Sequence, residues 1–163
     1  MTVTSVQKDP EALTMAITAD FDAPAERVWQ LWSDPRQLER WWGPPTYPAT
    51  VVDHELAPGG RVSYFMTSPE GEKYHGWWRV IAVDEPRALE LEDGFADDAG
   101  QPNPDMPTTI TRVTVEERAG GGTTMTILTQ FPSLEAMEQM AEMGMEEGMR
   151  AAMGQMDSIL AAA

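Results

Sequence analysis

The sequence predicts an α+β domain in which a curved antiparallel sheet of seven strands packs around one long C-terminal helix. Three observations support this fold class. Strand-like segments separated by hairpin turns fill residues 47–131, two short tryptophan-rich helical segments precede them, and a helical pattern runs through 133–160. At 163 residues the chain suffices for one domain with its own core. We therefore expect a single domain over 1–163, with its ordered core at about 13–160.

The first strand and two short helices are predicted from local signals. Residues 13–22 alternate between apolar and polar side chains, as a half-buried strand does. Asp22 is a suitable helix cap, and Pro24 fits the first turn of a helix because its missing N–H has no partner to lose there. Asp34, followed by proline, starts a second helix, which Gly43 and the two prolines after it end.

Six further strands are predicted between turn sequences rich in glycine, proline and aspartate, at 47–56, 61–67, 73–83, 88–93, 108–117 and 123–131. Their hairpin spacing makes the sheet antiparallel. The segment 94–107 is rich in aspartate and proline, so we expect a mobile loop there. Phe95 and Met106 are the residues that would let it close over a cavity, and an ordinary solvated insertion is the alternative.

The last predicted element is a helix of about 28 residues that begins after Ser133, its expected N-cap, and spans roughly 42 Å. It contains seven of the chain's 12 methionines, interleaved with glycine and alanine. Methionine is flexible and fills irregular space, so this composition favours a cavity beside the helix. The alternative is that Gly144 and Gly148 let the helix lie close on the sheet.

Composition limits the classes of partner. The net charge is −16, from 27 acidic and 11 basic residues, which would repel nucleic-acid phosphates and anionic lipid surfaces. The chain has no cysteine and no apolar stretch approaching the roughly 20 residues of a membrane span. We expect a soluble cytoplasmic protein without a nucleic-acid partner or a membrane span.

The sequence assigns no catalytic residue, no metal site and no cofactor. Asp53, His54 and Glu55 look like metal ligands, but strand alternation places His54 on the opposite face from the two carboxylates. His75 is either a general base or, more often for a histidine in an apolar strand, a structural residue.

Several motifs resemble a known family. The segments FDAPAERVW at 21–29, LERWWGP at 38–44 and PGGR at 58–61, together with the element order, resemble the START-like (SRPBCC) superfamily. Within it, the chain is similar to the heat-shock chaperone ATPase activator homologue (AHSA-type) family, and the resemblance covers about 13–160. It implies a helix-grip fold with a cavity between sheet and C-terminal helix, in a superfamily that binds lipids, hormones, polyketides and other apolar molecules.

The expected function is the binding of a small hydrophobic or amphipathic ligand, as a carrier or a sensor. The residues expected to line its cavity are Trp42, Tyr64, Trp78, Met125, Ile127, Met137, Met140, Gly144 and Gly148. One alternative is a chaperone-associated or other protein-interaction module, with a protein partner or a second copy of the chain. Another is a cyclase- or aromatase-type enzyme, which would need His75, Tyr64 or Asp93 to face an open pocket with a shifted pKa.

Overall fold

The computed structural model describes residues 2–161, without the side chain of Thr2. The strands are β1 (Thr2–Asp9), β2 (Thr14–Phe21), β3 (Ala49–His54), β4 (Arg61–Thr67), β5 (Lys73–Asp84), β6 (Ala88–Phe95), β7 (Thr109–Glu117) and β8 (Thr123–Gln130). The helices are α1 (Ala25–Ser33), α2 (Pro35–Trp41), α3 (Leu134–Glu142), α4 (Met145–Met153) and α5 (Met156–Ala161).

One antiparallel sheet contains all eight strands, in the order β1-β2-β8-β7-β6-β5-β4-β3. The α+β helix-grip architecture is therefore confirmed. Alternation builds it: along β2, β7 and β8, every second side chain is buried and the intervening ones are partly or fully exposed. The buried face packs against the helices, as a sheet with one apolar face requires.

The predicted count of seven strands was one too low. Strand β1 pairs with β2 along its whole length and forms an edge of the sheet. It gives a weak sequence signal because only Val3 and Val6 pack against the core, both partly buried. Its stability comes mainly from backbone hydrogen bonds to β2, which no side-chain pattern reveals.

The two short helices lie where the sequence places them. The Asp34 side chain accepts a hydrogen bond from the Arg36 N–H at 2.9 Å and caps α2. The N-cap of α1 is Pro24, with no side-chain cap, so the expectation of Asp22 as the cap was wrong. Ser133 caps α3 as expected, accepting from the Ala136 N–H at 3.0 Å.

The single C-terminal helix predicted for 133–160 is instead three helices. Between α3 and α4, Gly144 adopts φ +82°, a left-handed conformation that stops the helix. A second break at Gly154 and Gln155 separates α4 from α5. The segment therefore bends over the sheet, and helical positions counted at 100° per residue lose register.

Two polar side chains fix the end of the chain against the short helices. The Arg27 guanidinium donates to the Ile159 carbonyl at 2.8 Å, joining α1 to α5. The Gln155 amide donates to the Gly43 carbonyl at 2.7 Å, just beyond α2. Within residues 2–161, no helix combines the length and hydropathy needed to cross a membrane.

The loop after β6 is shorter than predicted, because Gly94 and Phe95 continue that strand. Ala96 forms an isolated bridge with Pro102, and the Asp97 carboxylate accepts from the backbone N–H groups of Ala99 and Gln101, both at 2.9 Å. The mobility of this loop stays a prediction.

Candidate functional site

A cavity of about 300 Å³ lies between the concave face of β4–β7 and the helices α3 and α4. Sixteen residues form its wall: Trp42, Pro44, Tyr64, Met66, Tyr74, His75, Gly76, Asp93, Gly94, Phe95, Thr109, Met140, Met143, Met145, Gly148 and Met149. Most of these side chains are apolar, with a few polar groups on the sheet side. This combination is typical of small-molecule sites.

Methionines form much of the wall on the helical side. Five line the cavity, one from β4 and four from the C-terminal segment: Met66, Met140, Met143, Met145 and Met149. Gly148 lies among them, and a Cβ built on it meets no atom within 4 Å. The explanation that Gly148 lets the helix pack closely on the sheet is therefore wrong, because open space faces this position.

Four of the nine residues expected to line the cavity do so: Trp42, Tyr64, Met140 and Gly148. The structure places the other five elsewhere. Trp78, Met125 and Ile127 are at most 1% exposed in the packed core. Met137 borders a second, smaller cavity of about 40 Å³ near β1. Gly144 forms the break between α3 and α4 and is absent from the wall.

The lining residues that sequence reasoning missed come mainly from β5, β6 and the start of α4. Asp93 and Phe95 lie two residues apart on β6, so they share a face of the sheet. This alternation is the signal that could have identified both as lining residues. Met145 and Met149 are one helical turn apart in α4. Their placement depends on the break at Gly144, which resets the helical register.

An aromatic cluster supports the inner end of the cavity. Trp42 contacts Trp41, Trp78 and Tyr64 edge-on, with ring centroids 5.4, 4.8 and 5.8 Å apart. Such edge-to-face pairs add to the stability gained by burial alone. Trp41, the last residue of α2, and Trp42, its C-cap, are both buried, although the side chains of adjacent helical residues diverge.

Tyr64 and Asp93 meet on the cavity wall from strands β4 and β6. The Tyr64 hydroxyl donates to an Asp93 carboxylate oxygen at 3.5 Å, the long limit of a hydrogen bond. Burial raises the pKa of the Asp93 carboxyl to about 7, against a smaller lowering by the Tyr64 hydrogen bond. Burial, then the charge of Asp93, raises the pKa of the Tyr64 phenol well above its usual value. At neutral pH, Asp93 is thus divided between its acid and carboxylate forms.

Two indole N–H groups beside Tyr64 are left without partners. The Nε1 atoms of Trp42 and Trp78 are buried and make no hydrogen bond among the described residues. Both lie near the Tyr64 oxygen and lower the pKa of the phenol, opposing its other neighbours, but neither has hydrogen-bonding geometry. By contrast, the indole N–H groups of Trp41 and Trp77 donate to backbone carbonyls at 2.8 and 3.0 Å.

The cavity reaches the surface beside Tyr74 and Met143, which are 52% and 54% exposed. His75 lies on the wall near this opening and also on an adjoining surface groove. Phe95, one of the two residues expected to close the cavity, lines it, whereas Met106 lies on the groove. Within residues 2–161, no three side chains of histidine, aspartate or glutamate converge as metal ligands.

Solved structures with the same fold cover nearly the whole chain. Protein Ms6760 from Mycobacterium smegmatis is 51% identical, with a TM-score of 0.90 and coverage of 99% of both chains. A protein from Arthrobacter aurescens is also 51% identical, with a TM-score of 0.94 and coverage of 99% of this chain and 94% of its own. A protein from Staphylococcus epidermidis is 27% identical, with a TM-score of 0.84 and coverage of 98% and 94%.

No curated protein matches the chain significantly. The sequence profile that matches is described as Activator of Hsp90 ATPase homolog 1-like protein, over residues 22–161. This range runs from the residue after β2 to the end of α5, and therefore includes every element that forms the cavity. The resemblance to the START-like superfamily is confirmed, and the chain belongs to the family of Activator of Hsp90 ATPase homolog 1-like proteins.

Proposed function

We propose that this protein reversibly binds a small hydrophobic or amphipathic molecule, as a carrier or a sensor, in the cavity between β4–β7 and the helices α3 and α4. The observation that carries the proposal is the open space in front of Gly148. Protein interiors are close-packed, and even one extra methyl group is usually felt there. Here a Cβ would meet no atom within 4 Å outside the neighbouring helix backbone, and Gly148 is part of the cavity wall.

The size of the cavity supports the same conclusion. The cavity of about 300 Å³ opens to solvent, but water inside it finds few hydrogen-bond partners against methionine and aromatic walls. An apolar ligand would recover the missing contacts, and the flexible methionines would adapt to its shape.

The first test is native mass spectrometry of the purified protein against its denatured mass, followed by a thermal-shift screen with fatty acids, sterols and aromatic polyketides. A ligand of the folded state raises the melting temperature by mass action, in proportion to the logarithm of its concentration above Kd. A retained adduct or a concentration-dependent shift supports the proposal. Absence of both directs the search to the protein-interaction alternative.

Two variants of α4 locate the binding. Gly148→Leu obstructs the cavity and removes a glycine from a helix interior, so we expect unchanged or higher stability and no ligand-induced shift. The matched control is Ala151→Leu, which adds a similar side chain at an exposed position of the same helix. A ligand shift that survives in Gly148→Leu would place binding outside the cavity and contradict the proposal.

Proton transfer is a second candidate function, favoured by Asp93. A general base works best when its pKa lies near the working pH, and the pKa of Asp93 is about 7. Its carboxylate would take a proton from a carbon next to a ligand carbonyl, leaving an enolate, which is the opening step of a cyclase-type reaction. The test is NMR of α-proton exchange in D₂O for a bound ketone. Exchange should be faster with the wild type than with Asp93→Asn, and equal rates would reject this function.

A further inference from the structure

The polar end of the cavity presents one donor and one acceptor that hold each other weakly. O–H···O hydrogen bonds are typically about 2.5–3.0 Å long, whereas the oxygens of Tyr64 and Asp93 are 3.5 Å apart. Desolvation without a short hydrogen bond is costly for both groups. The pair would therefore gain from a ligand group that bonds to both oxygens at once.

The chemistry of that group follows from what the two residues offer. The Tyr64 O–H donates, and the ionised Asp93 carboxylate only accepts. A ligand hydroxyl satisfies both, because its oxygen accepts a hydrogen bond from Tyr64 while its O–H donates one to Asp93. An ether oxygen cannot donate to Asp93. A ligand carboxylate would bring a second negative charge beside the first, which two adjacent carboxyl groups avoid by keeping a proton.

The two indole N–H groups that lack partners in the described part of the chain make the Tyr64 hydroxyl a stronger hydrogen-bond donor. The Nε1–H groups of Trp42 and Trp78 lie beside the Tyr64 oxygen, and Trp42, 8% exposed, is itself part of the cavity wall. Positive dipoles near the phenol oxygen polarise its O–H bond and make it a better donor, as in chains of hydrogen bonds. These two N–H groups, which have no hydrogen-bond partner of their own within residues 2–161, therefore favour a hydrogen bond from the Tyr64 hydroxyl to a ligand in the cavity.

The apolar wall indicates the rest of the molecule. Next to the polar pair are the rings of Trp42 and Phe95, with Tyr74 at the opening and the methionines opposite. Aromatic edges and thioether sulfurs both make favourable contacts with a ring. We propose that the cavity binds an uncharged aromatic molecule through one hydroxyl group that accepts from Tyr64 and donates to Asp93. This inference rests on the proposed ligand-binding function.

The test compares four probes on one ring system by titration calorimetry at about pH 8, where Asp93 is mostly ionised. They are 2-naphthalenemethanol, its methyl ether, 2-naphthoate and 2-naphthylmethylammonium. The alcohol should bind at least about tenfold tighter than the ether and the carboxylate, because a hydrogen bond to a charged group is worth this much or more.

Substitutions assign the two hydrogen bonds to the two residues. Asp93→Asn should reduce the preference for the alcohol over its ether to about twofold or less and tighten binding of 2-naphthoate, because it removes the charged acceptor. Tyr64→Phe should weaken binding of the alcohol and the ether alike and leave the preference between them, because both oxygens accept from Tyr64. The matched control is Glu92→Gln, one residue away on the opposite face of β6, where Glu92 pairs with Arg79 at 3.1 Å. It should retain the wild-type preferences.

The outcomes separate this inference from the function on which it rests. Equal binding of all four probes, abolished by Gly148→Leu, would overturn the hydroxyl site and support the ligand cavity. Tightest binding of the ammonium probe would replace the hydroxyl site with a cation site, and tightest binding of 2-naphthoate would also overturn it. Binding of no probe would overturn the aromatic hydroxyl class, while the mass-spectrometric screen would still decide the cavity.

Discussion

Tyr64 lies directly opposite Gly76 in the pairing of β4 with β5, and its ring occupies the space that a side chain on Gly76 would need. A Cβ built on Gly76 overlaps the phenol ring, including its oxygen. The missing side chain of one strand therefore lets the tyrosine of the next lie across it. This contact holds the phenol at the inner end of the cavity, within reach of Asp93 on β6.

Gly76→Ala should displace the Tyr64 ring and destabilise the fold. Overpacking of a filled site typically costs about 1–3 kcal/mol, and we expect a loss in this range by urea denaturation. The control is a double-mutant cycle with Tyr64→Val, which removes the ring that the new methyl group meets. In that background the added cost of Gly76→Ala should fall below about 0.5 kcal/mol. An undiminished cost would contradict the proposed contact.

Substitution by alanine should change the stability in opposite directions at Gly144, just before α4, and at Gly148, inside α4. Gly144 has φ +82°, so Gly144→Ala should lose about 1–2 kcal/mol of stability from backbone strain. Gly148 is helical with open space around it, so Gly148→Ala should gain up to about 1 kcal/mol from helix propensity. Thermal denaturation of both variants measures the difference. Equal effects would show that the break at Gly144 does not persist in solution.

Arg27 should hold the last helix against α1. Its guanidinium donates to the Ile159 carbonyl at 2.8 Å and to the Gln37 side chain at 2.6 Å. Arg27→Met keeps most of the volume but loses both bonds, so we expect about 1–2 kcal/mol lower stability and faster amide exchange in residues 156–161.

The matched control for Arg27 is Arg40→Met, at an exposed position of α2. It should leave amide exchange in 156–161 unchanged. Exchange that is equally slow in wild type and Arg27→Met would mean that Arg27 does not hold α5 against α1.

Much of the fold was predictable because it depends on local signals. Hairpin turns and alternation gave seven strands to within about two residues at most ends, and caps such as Asp34 fixed helix starts. Two features escaped this reasoning. Strand β1 has few buried side chains, and the break between α3 and α4 depends on the positive φ of Gly144. A glycine in a helical pattern does not itself reveal whether its φ is positive.

The cavity was less predictable than the fold, because a wall residue must be buried yet leave space beside it. Alternation identified Trp78, Met125 and Ile127 as inward-facing, and they are, but packed core covers them. Asp93 is the most informative omission. Its position in the sequence indicated only a possible enzyme residue, since a polar side chain among apolar neighbours gives no sign of its burial or its partner.

Asp93 should make the stability of the protein depend on pH in a way that Asp93→Asn removes. Its pKa is about 7 in the folded protein and near 4 in an unfolded chain. Between these values the folded state holds a proton that the unfolded state has released, so the contribution of Asp93 to stability is lost as pH rises from about 4 to 7. The variant has no such group.

As pH rises, the free energy of unfolding of Asp93→Asn should therefore increase relative to that of the wild type. Three pH units correspond to about 4 kcal/mol, and because Asp93 is only half-buried we expect about 2–4 kcal/mol between about pH 4 and pH 8. Urea denaturation at both values measures it, with Glu92→Gln as the control for loss of an acidic residue from the same strand. If the Asp93→Asn difference is constant with pH, the carboxylate is solvated in the folded state. The hydroxyl site at the end of the cavity would then lose its desolvated acceptor.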